Sequence, residues 1–310
     1  MAARFSSGVS AACSMVGANP VLVRSLETPK TTRVRMANRI RRSVRAVDHW
    51  ITVCAVMDDR TEDDSSLAVA LFPTCVVDGF RPEAGVAAVR VLRRLGCAVE
   101  VPDTTCCGQP AWNAGQVDAA AKVARTTLDA LTASDAELVV VPAGSCATMM
   151  TVFWPELFDL AGDDDGAEAA RALVPRVREF SVAVDGLTPE VALANEAGER
   201  VAYHRSCHML RELRIVTEPE RLLARAGVTP VPTGAEGRCC GFGGLFSVKL
   251  PEVSTAMADD VLDEVVAVGA DEVVGCDASC LMHLEARSNE RRLGLRFEHL
   301  AEVLERVATT

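Results

Sequence analysis

The sequence Cys106-Cys107-Gly108-Gln109-Pro110-Ala111 recurs in altered form as Cys239-Cys240-Gly241-Phe242-Gly243-Gly244, and the fold prediction follows from this recurrence. Each Cys-Cys-Gly lies between one upstream and one downstream cysteine, and these flanking residues are Cys75 and Cys146 in the first half and Cys207 and Cys280 in the second. Corresponding cysteines are 132, 133, 133 and 134 positions apart. Agreement at four positions indicates an internal repeat, so we expect two modules with one layout.

Apolar strand-like segments alternate with segments of helical period in both halves. The predicted strands are 67–72, 97–101 and 137–141, then 200–203, 228–231 and 271–274. The predicted helices are 82–95 and 117–131, then 219–226, 251–268 and a closing helix at 298–307. This alternation is typical of βαβ units, and it predicts an α/β fold of two pseudo-repeated, mainly parallel-sheet modules. The repeated cysteines follow the predicted strands, at the sheet edge where ligand sites form.

The predicted domains are a first module over residues 67–185 and a second over residues 199–310. Residues 1–66 are rich in Arg and Ser without a regular apolar period, and they predict a disordered extension or sequence upstream of the true start. Between the modules the acidic run 163–166 interrupts the pattern and residues 182–199 are less regular. We therefore expect the linker within these segments.

Composition and charge limit the partners and the compartment. The formal net charge of −11 disfavours nucleic acid, since phosphate contacts need clustered Lys and Arg. The chain contains no run of 18 apolar residues and no secretory signal, so we expect neither a transmembrane segment nor export, and a cytoplasmic protein by default. Twelve cysteines in such a chain point to metal or redox chemistry more than to structural disulfides.

Four cysteines per module match the ligand number of a 4Fe-4S cluster, and thiolates are the soft ligands that such clusters use. We therefore predict one or two 4Fe-4S clusters, with these ligands: Cys75, Cys106, Cys107, Cys146, Cys207, Cys239, Cys240 and Cys280. Each adjacent pair could bind two irons, or one cysteine could bind while the other tunes the cluster. Three alternatives stay open. They are buried thiols, a structural zinc, which usually uses short C-x2-C pairs, and disulfide exchange between neighbouring cysteines.

These motifs resemble the CCG cysteine-rich domain found in heterodisulfide reductase, in the iron-sulfur protein of glycolate oxidase and in the iron-sulfur protein of anaerobic glycerol-3-phosphate dehydrogenase. The local strings are most similar to the lactate-utilisation protein A family: Cys106-Cys107-Gly108-Gln109-Pro110-Ala111, Pro142-Ala143-Gly144-Ser145-Cys146, Cys239-Cys240-Gly241-Phe242-Gly243-Gly244 and Ser279-Cys280-Leu281-Met282. The resemblance implies a subunit that transfers electrons within a complex oxidising L-lactate to pyruvate. The chain lacks the C-x2-C-x2-C-x3-C-P run, so a separate partner with a ferredoxin domain is expected.

A heterodisulfide-type thiol or disulfide reductase is the alternative function. In the heterodisulfide reductase relatives the last cysteine belongs to a C-x-x-C pair, whereas this chain has Ala143 and Asp277 at the matching positions. This departure disfavours non-cubane chemistry, although Cys276 could supply an extra ligand. A buried free thiol is the alternative for Cys276.

Other residues receive supporting roles. We interpret His204, His208 and His283 as hydrogen-bonding residues beside the ligands, or else as ligands or proton relays. Trp112 and Phe242 either shield the clusters or pack in the core. Cys97 is interpreted as a core residue, and Cys13 and Cys54 receive no function. The chain has neither a phosphate-binding glycine loop nor a Ser-His-Asp signature, so we expect the substrate to react on another subunit.

Overall fold

Two four-stranded parallel sheets form the frame of the protein in the computed structural model, which describes residues 66–187 and 198–308. The first sheet has the order β2-β1-β3-β4, with β1 Ala68–Leu71, β2 Ala98–Glu100, β3 Leu138–Val141 and β4 Val177–Glu179. The second has the order β6-β5-β7-β8, with β5 Glu199–His204, β6 Val228–Val231, β7 Glu272–Gly275 and β8 Arg296–His299. All neighbouring strands are parallel. The predicted α/β fold of two repeated modules is confirmed.

Helices connect the strands, as parallel neighbours require. In the first half these are α1 Cys75–Phe80, α2 Pro82–Arg94, α3 Gln109–Trp112, α4 Val117–Thr132, α5 Gly144–Thr148, α6 Trp154–Leu160, α7 Asp164–Leu173 and α8 Phe180–Leu187. A π-helical turn, Met149–Phe153, joins α5 to α6, and a 3₁₀ turn, Val174–Arg176, precedes β4. In the second half they are α9 Cys207–Arg211, α10 Glu218–Arg225, α11 Leu245–Lys249, α12 Pro251–Ala267, α13 Ala278–Arg291 and α14 Leu300–Val307.

Side chains of the central strands alternate between two apolar layers, as the period of a β-strand requires. Val69 and Leu71 of β1 face one core cluster, whereas Ala70 and Phe72 face another. The first cluster also contains residues of β5 and β7, together with helices α2, α8, α10 and α14. One apolar core is therefore shared by both sheets, while each sheet has an outer core of its own.

The last helix of each half packs against the other half. Helix α14 contacts α2, and Glu305 of α14 pairs with Arg90 of α2 at 2.6 Å. Helix α8 contacts α10, and Asp185 of α8 pairs with Arg221 and with Arg225, the latter at 3.1 Å. The two contacts are equivalent under the internal repeat, so each module covers part of its core with a helix of its neighbour.

The prediction that the acidic run 163–166 belongs to the linker is wrong. Asp163 caps α7, since its carboxylate accepts a hydrogen bond from Gly166 N at 3.0 Å. The same carboxylate pairs with Arg125 of α4 at 2.7 Å, and both contacts lower the pKa of Asp163, with the Arg125 hydrogen bond as the larger cause. Acidic residues are stabilising at a helix N-terminus, and this one also joins two helices.

Two short edge strands, β4 and β8, are additions to the predicted pattern. The expected closing helix over 298–307 begins only at Leu300, because residues 296–299 pair with β7 and the His299 side chain accepts a hydrogen bond from Ala301 N at 3.1 Å. The predicted extension over residues 1–66 lies outside the described residues except for residue 66. The module boundaries at 67–185 and 199–310 stay predictions. Within the described ranges, no helix is both long enough and apolar enough to cross a membrane.

Candidate metal centres

The four repeated cysteines of the first half lie together at the carboxyl edge of the first sheet. Cys75 begins α1, Cys106 and Cys107 end the loop after β2, and Cys146 lies in α5. The Sγ atoms of Cys75 and Cys106 are 3.4 Å apart, and those of Cys107 and Cys146 are 3.2 Å apart. A hydrogen bond between the side chains of Cys106 and Cys107 joins the two pairs. The four sulfurs thus form one continuous group.

The second half repeats this arrangement. The Sγ atoms of Cys240 and Cys280 are 3.0 Å apart, the Cys207 side chain hydrogen-bonds to Cys239, and Cys239 hydrogen-bonds to Cys240. The structure therefore brings together all eight cysteines singled out in the sequence, as two groups of four. We call these groups the first and the second cysteine quartet. Their role as ligands stays a prediction.

A glycine after each cysteine pair lets the loop approach the helix that follows. Gly108 and Gly241 have φ angles of 86° and 88°, a region that favours glycine. A Cβ atom on Gly241 would lie 2.4 Å from the carbonyl oxygen of Ser254 in α12, and one on Gly108 would lie 2.7 Å from that of Ala120 in α4. Both φ and the close approach therefore require glycine. The backbone N–H of Gly241 also donates to Cys239 Sγ at 3.4 Å.

Side chains of the surrounding helices form hydrogen bonds with the backbone of both Cys-Cys-Gly loops. Trp154 Nε1 donates to the carbonyl of Cys107 at 2.8 Å, and the Thr127 hydroxyl donates to the carbonyl of Cys106 at 2.9 Å. In the second half the Ser254 hydroxyl donates to the carbonyl of Gly241 at 2.8 Å. Because these groups are buried or partly buried, the hydrogen bonds satisfy polar atoms of the loops and anchor each loop to a neighbouring helix.

Crowding of the sulfurs changes their acidity. Hydrogen bonds to neighbouring cysteines and burial raise the pKa of Cys107 and Cys240 well above the usual thiol value. A hydrogen bond from Cys207, together with bonds from Cys240 and from the Gly241 backbone, lowers the pKa of Cys239 to about 2. The pKa of Cys207 is raised, mainly because its thiol donates to Cys239. Four adjacent thiolates repel one another, so each quartet needs a cation to lose all its protons.

Asp277 joins the two halves next to both quartets, a role that the sequence analysis missed. Its carboxylate accepts hydrogen bonds from Ser279 N at 3.2 Å and from Ser145 N at 2.8 Å, and the residue is 2% exposed. It therefore caps α13, which carries Cys280, and also contacts α5, which carries Cys146. Aspartate just before a helix is a capping signal that the sequence does contain, but the second helix is reached only through the fold.

The two halves meet around this aspartate through equivalent positions. Ala143 and Asp277, which correspond under the repeat, form an isolated antiparallel bridge. Beside this bridge, Met209 of α9 packs against Gly144, where a Cβ atom would lie only 2.1 Å from Met209 Cγ. Helix α9, which begins with Cys207, thus packs on α5, and α1, which begins with Cys75, packs on α13. Each quartet is therefore adjacent to the contact between the modules.

Three histidines surround the second quartet. A ring nitrogen of His204 and the sulfurs of Cys240 and Cys280 all lie within 4.8 Å of one another. His208 Nδ1 lies 3.8 Å from Cys207 Sγ, and its Nε2 lies 3.4 Å from Gln109 Nε2 of the first module. His283 Nε2 lies 3.1 Å from the Ser254 hydroxyl. Burial lowers the pKa of His204 to about 4 and also lowers that of His283, so both imidazoles are neutral at neutral pH.

The remaining cysteines lie apart from the quartets. Cys276 is fully buried, and its sulfur is 3.4 Å from the hydroxyl of Tyr203 in the shared core. It lies outside the second quartet's chain of sulfur contacts, and its role as an extra ligand stays a prediction. Cys97 is buried in the same core, as expected, and burial raises its pKa. Cys13 and Cys54 lie outside the described residues.

The predicted shielding aromatics lie beside the cysteine loops. Trp112 is partly buried against the first outer core and packs on Phe153, with ring centroids 5.8 Å apart. Phe242 is partly buried against the second outer core and packs on His283, with centroids 6.0 Å apart. Both rings therefore contribute to packing next to a quartet, and their role in shielding a cluster stays a prediction.

The donor set fits a metal cluster rather than a disulfide. All ten cysteines in the described ranges are free thiols, so no disulfide occupies the quartets. Each quartet offers four soft donors from three separate loops, and three or more of them are buried or partly buried. Backbone and side-chain contacts to the loops supply the supporting hydrogen bonds that metal sites commonly have.

Comparison with known proteins agrees with this geometry. The profile of a family described as "CCG: Cysteine-rich domain" matches residues 69–151 and 201–285, one stretch for each quartet. A protein named Lactate utilization protein A from Exiguobacterium sp. strain AT1b is 41% identical over 242 residues, which cover 76% of this chain and 96% of that protein. Proteins of the same name from Geobacillus sp. strain WCH70 and Bacillus cereus strain G9842 are 39% and 37% identical, covering 77% of this chain and 99% and 98% of their own lengths. The chain therefore belongs to the lactate utilization protein A family of proteins with CCG cysteine-rich domains.

Proposed function

We propose that this protein is an iron-sulfur subunit that transfers electrons within a cytoplasmic oxidoreductase complex, and that the complex oxidises L-lactate to pyruvate. The observation that carries the proposal is the convergence of eight cysteines into two groups with sulfur contacts of 3.0 to 3.4 Å. The name of its relatives, Lactate utilization protein A, supplies the substrate. Each quartet would hold one 4Fe-4S cluster.

The chain's own residues would hold the clusters and control their surroundings. The thiolates of each quartet would bind iron, and the buried positions of Cys107, Cys146, Cys240 and Cys280 would keep water from most of each site. A bound 4Fe-4S cluster accepts and releases single electrons. Gly241 N, which donates to Cys239 Sγ, would withdraw negative charge from that thiolate and favour the reduced state.

Two features of the site favour electron transfer over substrate chemistry on this chain. Both quartets are adjacent to the module contact, through α9 on α5 and α1 on α13, which suits passage of electrons between them. Cys75, by contrast, is exposed, so the first quartet reaches the protein surface. Oxidation of lactate releases two electrons and two protons, and we propose that this reaction takes place on another subunit. A ferredoxin-domain protein would exchange electrons with this chain.

Substitution of one cysteine in each quartet tests the cluster assignment. Cys107→Ser and Cys240→Ser should each lose about half the iron of anaerobically purified protein, because each removes a ligand from one cluster. Cys97→Ala is the matched control, since Cys97 is a buried thiol outside both quartets, and it should keep all the iron. Unchanged iron in both ligand variants would overturn the assignment.

Growth tests the substrate. Deletion of the gene should abolish growth of the source organism on L-lactate and spare growth on pyruvate, and the wild-type gene should restore it. The Cys240→Ser gene should not. Full growth of the deletion strain on L-lactate would overturn the lactate assignment and leave the cluster assignment to be judged on iron content.

A further inference from the structure

His204 is a buried polar residue, and one of its ring nitrogens forms no hydrogen bond with the described residues. The residue is 6% exposed, and its Nε2 atom has no hydrogen-bond partner among the described residues. A buried nitrogen without a hydrogen-bond partner destabilises the folded state. His204 is the last residue of β5, one of the two central strands of the second sheet, so packing alone would favour an apolar residue there.

The first module has an apolar residue at the corresponding place. Phe72 stands three positions before Cys75, just as His204 stands three positions before Cys207, and Phe72 is fully buried in the first outer core. The two sites otherwise repeat cysteine for cysteine. Exchange of Phe for His is therefore a chemical difference between the two quartets that the repeat itself does not require.

The ring of His204 is within reach of a metal bound to the second quartet. One of its nitrogens lies within 4.8 Å of the sulfurs of both Cys240 and Cys280. Two donors on one metal ion are separated by at most the sum of their bond lengths, about 4.4 Å for a nitrogen and a sulfur on the scale of zinc. A small movement of the ring would place all three donors on a common centre.

We propose that His204 is a nitrogen ligand of the metal centre in the second module, beside Cys240 and Cys280, whereas the first module binds its centre with thiolates alone. The inference rests on the proposed function, since it names an additional ligand of the same site. It makes the two clusters unequal. An added imidazole leaves the four thiolates in place but changes the electron density at the iron that it binds, so the two clusters should differ in reduction potential.

The experiment uses the full chain, reconstituted anaerobically with iron and sulfide and reduced with dithionite, in unlabelled form and with ¹⁵N-histidine. Pulsed EPR should show strong coupling to a histidine ¹⁴N nucleus that is replaced by ¹⁵N coupling in the labelled sample. This first comparison uses only wild-type protein, so it does not depend on the folding of any variant. Absence of histidine coupling in iron-loaded wild type would overturn this inference and leave the proposed function standing.

Two variants show which histidine supplies the coupled nitrogen, and each replaces a histidine by the residue at the corresponding position of the first module. His204→Phe should lose the coupling, whereas His283→Met, which introduces the residue found at the corresponding Met149, should keep it. Redox titration should show a shifted potential for one of the two clusters in His204→Phe and two unshifted clusters in His283→Met. Coupling that survives in His204→Phe would overturn the inference.

The metal content of the wild-type protein separates this inference from the proposed function. A chain that holds neither iron nor zinc would overturn both. A chain that holds zinc would overturn the iron-sulfur function, and zinc X-ray absorption of the same two variants would then decide on His204. Loss of imidazole scattering in His204→Phe only would support the ligand, and equal scattering in both variants would refute it.

Discussion

Substitution of Gly241 by alanine tests whether the glycine after the second cysteine pair fixes that loop on α12. A residue with a Cβ at a φ of 88° costs about 1–2 kcal/mol. The new Cβ would also lie 2.4 Å from the carbonyl oxygen of Ser254 and 3.0 Å from Met257 Cβ, an overlap that typically costs about 1–3 kcal/mol. The free energy of unfolding should therefore fall by about 2–5 kcal/mol.

Gly269→Ala is the matched control for this substitution. Gly269 has a φ of 65°, but a Cβ there would meet no atom within 4 Å, so only the backbone cost of about 1–2 kcal/mol applies. Urea unfolding of the metal-free, reduced proteins, followed by circular dichroism, measures the difference between the two variants. We expect Gly241→Ala to be less stable than Gly269→Ala by about 1–3 kcal/mol.

Iron content gives the second measurement on the same pair. Relief of the overlap must move α12 or the Cys239-Cys240 loop, so Gly241→Ala should lose iron from the second quartet and keep that of the first. Gly269→Ala should keep both. Equal stability and equal iron content of the two variants would refute the reasoning that close approach, and not φ alone, requires Gly241.

Three further predictions concern the contact between the modules. Burial raises the pKa of Glu179 from 4.5 to about 7, so the folded protein retains a proton that the unfolded chain releases. The free energy of unfolding therefore falls as the pH rises from about 4.5 to about 7. Glu179→Gln should remove this fall, so that urea unfolding shows the variant gaining about 3 kcal/mol on wild type between pH 5 and pH 8. Leu304→Ala, in the shared core, should lower the free energy of unfolding by about 2–5 kcal/mol and shift a single unfolding transition. Leu160→Ala is the control, since Leu160 is 61% exposed, and it should change that free energy by less than about 0.5 kcal/mol. Two separate unfolding transitions would contradict the shared core. Asp277→Ala should cost about 1–3 kcal/mol through loss of hydrogen bonds to α5 and α13, and Asp277→Asn should cost less because it keeps an acceptor; equal losses would contradict the capping role.

The repeated modules and the grouping of the cysteines were predictable from the sequence. Matching intervals between Cys75, Cys106, Cys107 and Cys146 and their counterparts require equivalent positions in a repeated fold. Because these residues follow strands that are parallel neighbours in the structure, their side chains meet at one edge of each sheet. The chemistry of the donor set followed from the residue types alone.

Features that depend on contacts between the modules were not predictable. Strand β4 has three residues and includes Arg178, so its pairing with β3 leaves little local signal. Nothing near α8 or α14 indicates that each packs on the other module. Asp277 contains a local capping signal, but its bond to Ser145 spans 132 positions. These contacts are set by tertiary structure, which overrides local propensity.

Metal analysis of the full chain, purified without oxygen, shows whether the two quartets hold iron-sulfur clusters. Two quartets that each bind a 4Fe-4S cluster predict roughly eight iron atoms and eight acid-labile sulfides per chain, with Mössbauer spectra typical of such clusters. Zinc in place of iron, or iron without labile sulfide, would contradict the claim that the two cysteine quartets are iron-sulfur sites.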